Sequence, residues 1–123
     1  MAEEKKTIQE AVDDIEEVLD VEAEIKRLSK ATVKLSQTVE WEGKTYTELT
    51  MDYEGLTGRD MEAIDDELAA MGVVVANPNI NHRYHRLLAA RAAKVPSDML
   101  RTLPLRDYQK VTMTARSFLL ATA

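Results

Sequence analysis

Apolar residues recur along this chain with two different periods, and the point where one gives way to the other organises the rest. Leu49, Met51 and Tyr53 fall at every second position, which places them on one face of a strand. After Glu54-Gly55 the spacing becomes helical: Met61, Ile64, Leu68 and Met71 form one stripe, and Gly72 follows as a C-terminal cap. Thr57 with Asp60 three residues on makes a shortened capping box, while Leu56 and Met61 take the two positions of a hydrophobic staple. A strand-to-helix corner is therefore predicted within residues 43–61.

Upstream of the corner, Val33, Leu35 and Val39 alternate with Lys34, Ser36 and Thr38, the pattern of a half-buried strand ending near Trp41-Glu42-Gly43. A two-residue Glu42-Gly43 loop would set Leu49 and Met51 opposite Ser36 and Lys34, splitting the apolar face. A three-residue loop, 41–43 with Gly43 left-handed, sets Leu35 opposite Leu49, Val33 opposite Met51 and Glu40 opposite Lys44. The three-residue loop is expected for that reason. Trp41 then stands at the hairpin tip, either folded back on the strands or offered to a partner.

At the N-terminus, Thr7-Ile8-Gln9-Glu10 fits Ser/Thr-x-x-Glu and marks a helix start. Ile8, Val12, Ile15 and Leu19 form one stripe; Val18, Val21, Ile25 and Leu28 form another about 120° around the helix. One long helix touching two surfaces, or a break near Asp20, would both account for that drift. Beyond the corner, Val73-Val74-Val75 is extended or a buried connection. A helix then starts around residues 79–81 with Ile80, Tyr84, Leu87, Leu88 and Ala92 inward, and Ala89, Ala90, Ala92 and Ala93 admit a close neighbour. Pro96 stops it, Ser97 caps a short helix, and Leu103-Pro104 breaks the chain again. The last helix carries Tyr108, Val111, Ala115, Phe118, Leu119 and Thr122 inward, leaving Met113 and Leu120 as surface residues or the rim of an oligomer contact. The fold class expected is α+β: an N-terminal amphipathic helix, a β-hairpin at about 32–53, and three to four packed helices. Residues 1–31 form an acidic helical arm and residues 32–123 a single domain.

Composition changes this picture in two ways. With 123 residues the chain is long enough for an ordinary core, and without cysteine it has no thiolate nucleophile and no thiolate zinc site. Neither a signal peptide nor an apolar run of spanning length is visible, so the expected setting is the cytoplasm, with no membrane contact. Charge is polarised: residues 3–24 carry ten acids against Lys5 and Lys6, whereas residues 83–116 carry eight bases against Asp98 and Asp107. Either acidic and basic faces meet within the fold or between copies, or the basic helices serve an acidic partner. Few aromatics and no nucleic-acid motif accompany the bases, which argues against nucleic acid.

Candidate chemistry is thin. Glu62, Asp65, Asp66 and Glu67 have the adjacency of a solvated helix face, and His82 and His85 lack a third ligand nearby, so neither a catalytic nor a metal site is expected, and no cofactor. Leu56-x-x-Arg59-Asp60-Met61 is echoed by Leu103-x-x-Arg106-Asp107-Tyr108 at two helix starts, either as shared capping chemistry or as an Arg-Asp pair docking the two starts or reading a partner carboxylate.

The order of these pieces resembles a known family. Val33-Lys-Leu-Ser leads into Gly43-Lys-Thr-Tyr-Thr-Glu-Leu-Thr, then Leu56-Thr-Gly-Arg-Asp60. Tyr84 is followed by Leu88-Ala-Ala-Arg-Ala92, then by Leu103-Pro-Leu-Arg-Asp107-Tyr108 and Ser117-Phe-Leu-Leu120. Over residues 32–120 this is similar to the tail assembly chaperones of long-tailed bacteriophages and prophages, the Mu and P2-like group. The resemblance implies a non-enzymatic protein of the host cytoplasm, absent from the finished virion. Such a protein binds the tape measure protein and helps tail tube protein polymerise around it; in many such phages a programmed frameshift appends a second domain. It also implies that Leu56, Arg59, Asp60, Tyr84, Asp107 and Tyr108 support the fold or a binding face. The positions expected to meet a partner are Trp41, Leu56, Arg59, Tyr84, Arg91, Tyr108, Met113 and Leu120. A host adaptor or regulatory module using its basic helices on an acidic partner is the competing reading.

Overall fold

A computed structural model describes residues 2–123, and within the first helix the side chains of 8, 10–12, 15 and 18–28. The helix α1 (Ala2–Leu28) leads into an antiparallel hairpin, β1 (Lys30–Trp41) and β2 (Lys44–Asp52). The corner then opens α2 (Gly58–Ala70), a 3-10 turn at Pro78–Ile80, α3 (His82–Ala93), the short α4 (Ser97–Arg101) and α5 (Leu105–Thr122). The fold is α+β, a two-stranded sheet packed with helices.

α1 is continuous, so no break occurs near Asp20, and Thr7 lies inside it rather than at its start. The residues before Thr7, Ala-Glu-Glu-Lys-Lys, are all strong helix formers, and that local preference carries the helix past the capping signal. At its far end the buried Ser29 closes the last turn: its hydroxyl donates to the Lys26 carbonyl at 2.7 Å. The Ser29 carbonyl in turn accepts from the Tyr53 N–H at 2.7 Å, which ties the helix end to the end of β2.

The hairpin corrects the expected register. Trp41 pairs with Lys44, so the loop is the two-residue Glu42-Gly43, both with positive φ (48° and 80°). These are the signs a type I′ turn demands, and its twist matches the strands. The apolar face is nevertheless preserved, because the register shifts between Lys34 and Val39. Pairs at the tip run Val39 with Tyr46, those at the base Val33 with Leu49 and Ala31 with Met51. Four residues of β1 (35–38) thus oppose one of β2, an enlarged bulge that repairs the parity the tight turn would break.

α3 is the central element, packing on α5, β2, α2 and α4. Tyr84, Leu87, Leu88, Ala89, Ala90 and Ala92 are all buried, and the alanines hold neighbouring backbones close. Around it lie Leu49 and Met51 from β2, Ile64 and Leu68 from α2, Met99 and Leu100 from α4, and Val111, Ala115 and Leu119 from α5. Helix ends follow local chemistry. Asn81 caps α3, its Oδ1 accepting from the Tyr84 N–H at 3.0 Å, and Gly72 (φ 75°) follows α2 in the left-handed conformation. Ile80, expected inward, is 68% exposed because it belongs to the turn before that cap. Ser97 is the first helical residue of α4, with Pro96 in the cap position. Met61 and Met71 lie at the edge of the α2 stripe and are exposed, leaving Ile64 and Leu68 to fill the core. Val73-Val74-Val75 forms no strand, and Val74 points to solvent.

Candidate functional site

The strand-to-helix corner does more than redirect the chain. Tyr53, the last inward residue of the β2 alternation, is buried and stacks on Phe118 of α5 with centroids 5.2 Å apart. The Thr114 hydroxyl donates to the Val111 carbonyl at 2.7 Å, so the Tyr53 phenol donates to Thr114 Oγ1, 2.6 Å away. Burial raises the phenol pKa well above its ordinary value, with the Thr114 bond opposing. Just after Tyr53, Leu56 and Met61 emerge on either side of the helix start. Together with Leu88, Phe118 and Leu119 they line a mainly apolar depression of about 340 Å³ between the corner, α3 and the end of α5. Such a groove, apolar and open at the surface, suits an apolar side chain of a helical or extended partner.

The start of α2 is pinned beside the groove. The Asp60 carboxylate accepts from the Thr57 N–H at 2.8 Å and from Arg91 of α3 at 3.1 Å. The Thr57 bond first, then Arg91, holds the Asp60 carboxyl below the ordinary range, against some desolvation. Asp107, its counterpart at the start of α5, is fully buried and faces elsewhere. Both its oxygens lie 3.1 Å from the Ser36 N–H in the bulge, and Oδ2 accepts from the Ser36 hydroxyl at 2.8 Å. The repeated Leu-x-x-Arg-Asp thus places its aspartate in the first helical turn both times, once to bind α3 and once to bind β1. Neither Arg59 nor Arg106 forms a described ion pair, so the arginines do not dock the two helix starts together.

The eight positions expected to meet a partner are dispersed. Leu56 lines the groove and Arg59 is exposed on the α2 turn beside it. Arg91 is engaged with Asp60. Tyr84 is wholly enclosed in the core, its hydroxyl without a described partner, and burial, then Asp65, raises its pKa. Tyr108 is half-buried on the opposite side, its hydroxyl 3.3 Å from His82 Nδ1. Met113 and Leu120 are about half exposed along α5, and Trp41 packs against the core while its Nε1 has no described partner. Met61, Leu88 and Phe118 carry no mark of partner residues in the sequence; only proximity in the fold brings them to Leu56.

His85 is buried and His82 exposed. Desolvation lowers the His85 pKa; bonds to the carbonyls of Asn79 and Pro78 oppose it, and Arg116 and His82 add to it. Among the described residues no group of three or more His, Asp or Glu is placed to hold a metal ion, and no helix is long and apolar enough to cross a membrane.

The corner thus carries an apolar groove beside a pinned helix start. A family model described as phage tail assembly chaperone proteins, E, or 41 or 14, matches residues 32–120, and the chain belongs to that family. No curated protein and no solved structure matches it.

Proposed function

We propose that this chain is a non-enzymatic chaperone of tail assembly that binds the tape measure protein and promotes polymerisation of the tail tube protein around it. It acts in the host cytoplasm and is absent from the mature virion. The family match over residues 32–120 carries this reading, because the matched range contains nearly the whole groove. A tape measure presents long helices whose apolar stripes need cover before a tube encloses them. The groove lined by Leu56, Met61 and Phe118 offers that cover for one turn of helix at a time.

Co-expression of the full chain with the tape measure protein of the same tail gene cluster tests the reading. The expected result is a soluble complex that survives purification, and its loss on Met61→Glu, a substitution at a 40% exposed position, with the circular dichroism spectrum unchanged. Absence of any complex at both low and high salt would count against it.

A further inference from the structure

The apolar groove at the corner is bordered by acids that no described partner neutralises. Residues 52–67 hold seven acids and one base, Arg59. Asp60 is taken up by Arg91, but Asp52, Glu54, Glu62, Asp65, Asp66 and Glu67 are exposed, and none of them is in a described ion pair. Glu54 lines the groove itself, beside Leu56 and Met61. Glu62 follows Met61 directly, and Asp65 lies one turn beyond Met61 on the same side of α2.

Local helix chemistry does not account for these acids. Glu62 and Asp66 are a like-charge pair at i,i+4, which destabilises a helix. Glu67 stands in the last turn of α2, where the macrodipole favours a cation, and that turn has no base. Only Asp60, in the first turn, sits where the helix itself favours a carboxylate. α2 therefore carries its charge against its own stability, and a face of mixed sign would keep the surface soluble without that cost.

We infer that the groove selects an apolar helical segment flanked by basic residues. A Leu- or Phe-type side chain enters between Met61 and Phe118, and a Lys or Arg within a turn on either side meets Glu54 and Glu62 or Asp65. This rests on the reading of the groove as the tape measure site, and it names the kind of tape measure helix that the site takes. A segment with acids at the flanking positions is rejected by like charge, so the groove discriminates among the many apolar stripes of a long helical partner.

The test uses three designed peptides of about 18 residues, long enough to form a helix. They share one leucine stripe and differ only in carrying Lys, Gln or Glu at the flanking positions. Each is titrated against the full chain by fluorescence anisotropy. An exposed ion pair changes an equilibrium constant by about two- to fivefold. With two such pairs the Lys peptide should bind about tenfold more tightly than the Gln peptide at about 50 mM salt, with the Glu peptide weaker still, and the three should converge at about 500 mM. Glu54→Gln with Glu62→Gln should bring the Lys peptide down to the level of the Gln peptide. Glu40→Gln with Glu48→Gln, the same change in net charge at exposed hairpin positions, should leave the ranking intact. Met61→Gln should weaken all three, which places them in the groove. Absence of binding by the Lys peptide, equal binding of all three at low salt, or a hairpin variant that shifts the ranking as far as the groove variant does would each overturn the inference. With the tape measure protein itself as ligand, a complex lost on Met61→Gln but undiminished by Glu54→Gln with Glu62→Gln would overturn the charge preference while leaving the groove as its site. The expected peptide ranking without any tape measure complex would uphold the preference and overturn the partner.

Discussion

Removing the Asp107 carboxylate should release the hairpin from the helices. The group is fully buried, and its partners, the N–H and hydroxyl of Ser36, lie in the one stretch of β1 that the bulge withdraws from the ladder. A hydrogen bond to a charged group contributes about 1.5–3 kcal/mol and a hydroxyl bond about 1. Asp107→Ala should therefore cost about 3 kcal/mol, moderated because water can reach the exposed Ser36 once the acid is gone. Asp107→Asn keeps one oxygen for the N–H and should cost about half as much; Ser36→Ala, which loses only the hydroxyl bond, about 1 kcal/mol. Urea unfolding followed by circular dichroism measures these costs. Fluorescence of the only tryptophan, Trp41, which sits beyond the bulge, reports whether the tip loosens first. The competing possibility is that desolvating the carboxylate costs as much as its bonds return. A cost for Asp107→Ala under about 1 kcal/mol, or an Asn variant no better than Ala, would refute a stabilising role for the buried acid.

Three further outcomes can be checked by the same unfolding measurements. Glu42 and Lys94 have positive φ (48° and 57°), so Glu42→Asn and Lys94→Gly should each stabilise by about 0.5–1 kcal/mol, and a loss would show that their side chains make compensating contacts. Tyr53→Phe keeps the stack on Phe118 but loses the bond to Thr114, a cost of about 1 kcal/mol. It should also reduce the loss of stability above about pH 10, where an unfolded tyrosine gives up its proton and the buried one does not, leaving the share due to Tyr84. The lowered His85 pKa has the opposite sense. As pH falls below about 6.5 the unfolded chain takes up a proton that the folded chain resists, so the urea midpoint should drop between about pH 7.5 and 5.5, and His85→Gln should flatten that slope.

What the chain declares in its sequence is mostly local. Gly72, the aspartate at each helix start and the inward stripe of α3 follow from spacing and capping, because the partners lie within one or two turns of each other. The hairpin register did not follow, since parity fixes a register only where the ladder is unbroken. Tyr46 was the available signal. It is partly buried against the core although it stands three residues from Leu49, off the strict alternation of Leu49 and Met51. The Ser36–Asp107 contact spans 71 residues and joins a backbone N–H to a side chain, so no residue pattern announces it. Likewise the groove draws Leu56, Met61, Leu88 and Phe118 from the corner and two helices, and Tyr84, a tyrosine in a recognisable motif, is enclosed because its helix is central.

The bulge at residues 35–38 has a consequence for how this hairpin can change over time. In an uninterrupted hairpin, inserting or deleting one residue at the turn reverses the facing of everything below it, and Leu49 and Met51 would leave the core. Here the mismatch is already absorbed midway, in a segment whose backbone is held by a helix carboxylate instead of by the opposite strand. Lengthening or shortening the tip by one residue can then be taken up by a smaller or larger bulge while the base stays in place. Length variation among relatives of this chain should accordingly collect between Leu35 and Tyr46, leaving the Ala31–Val33 and Leu49–Met51 pairs in step.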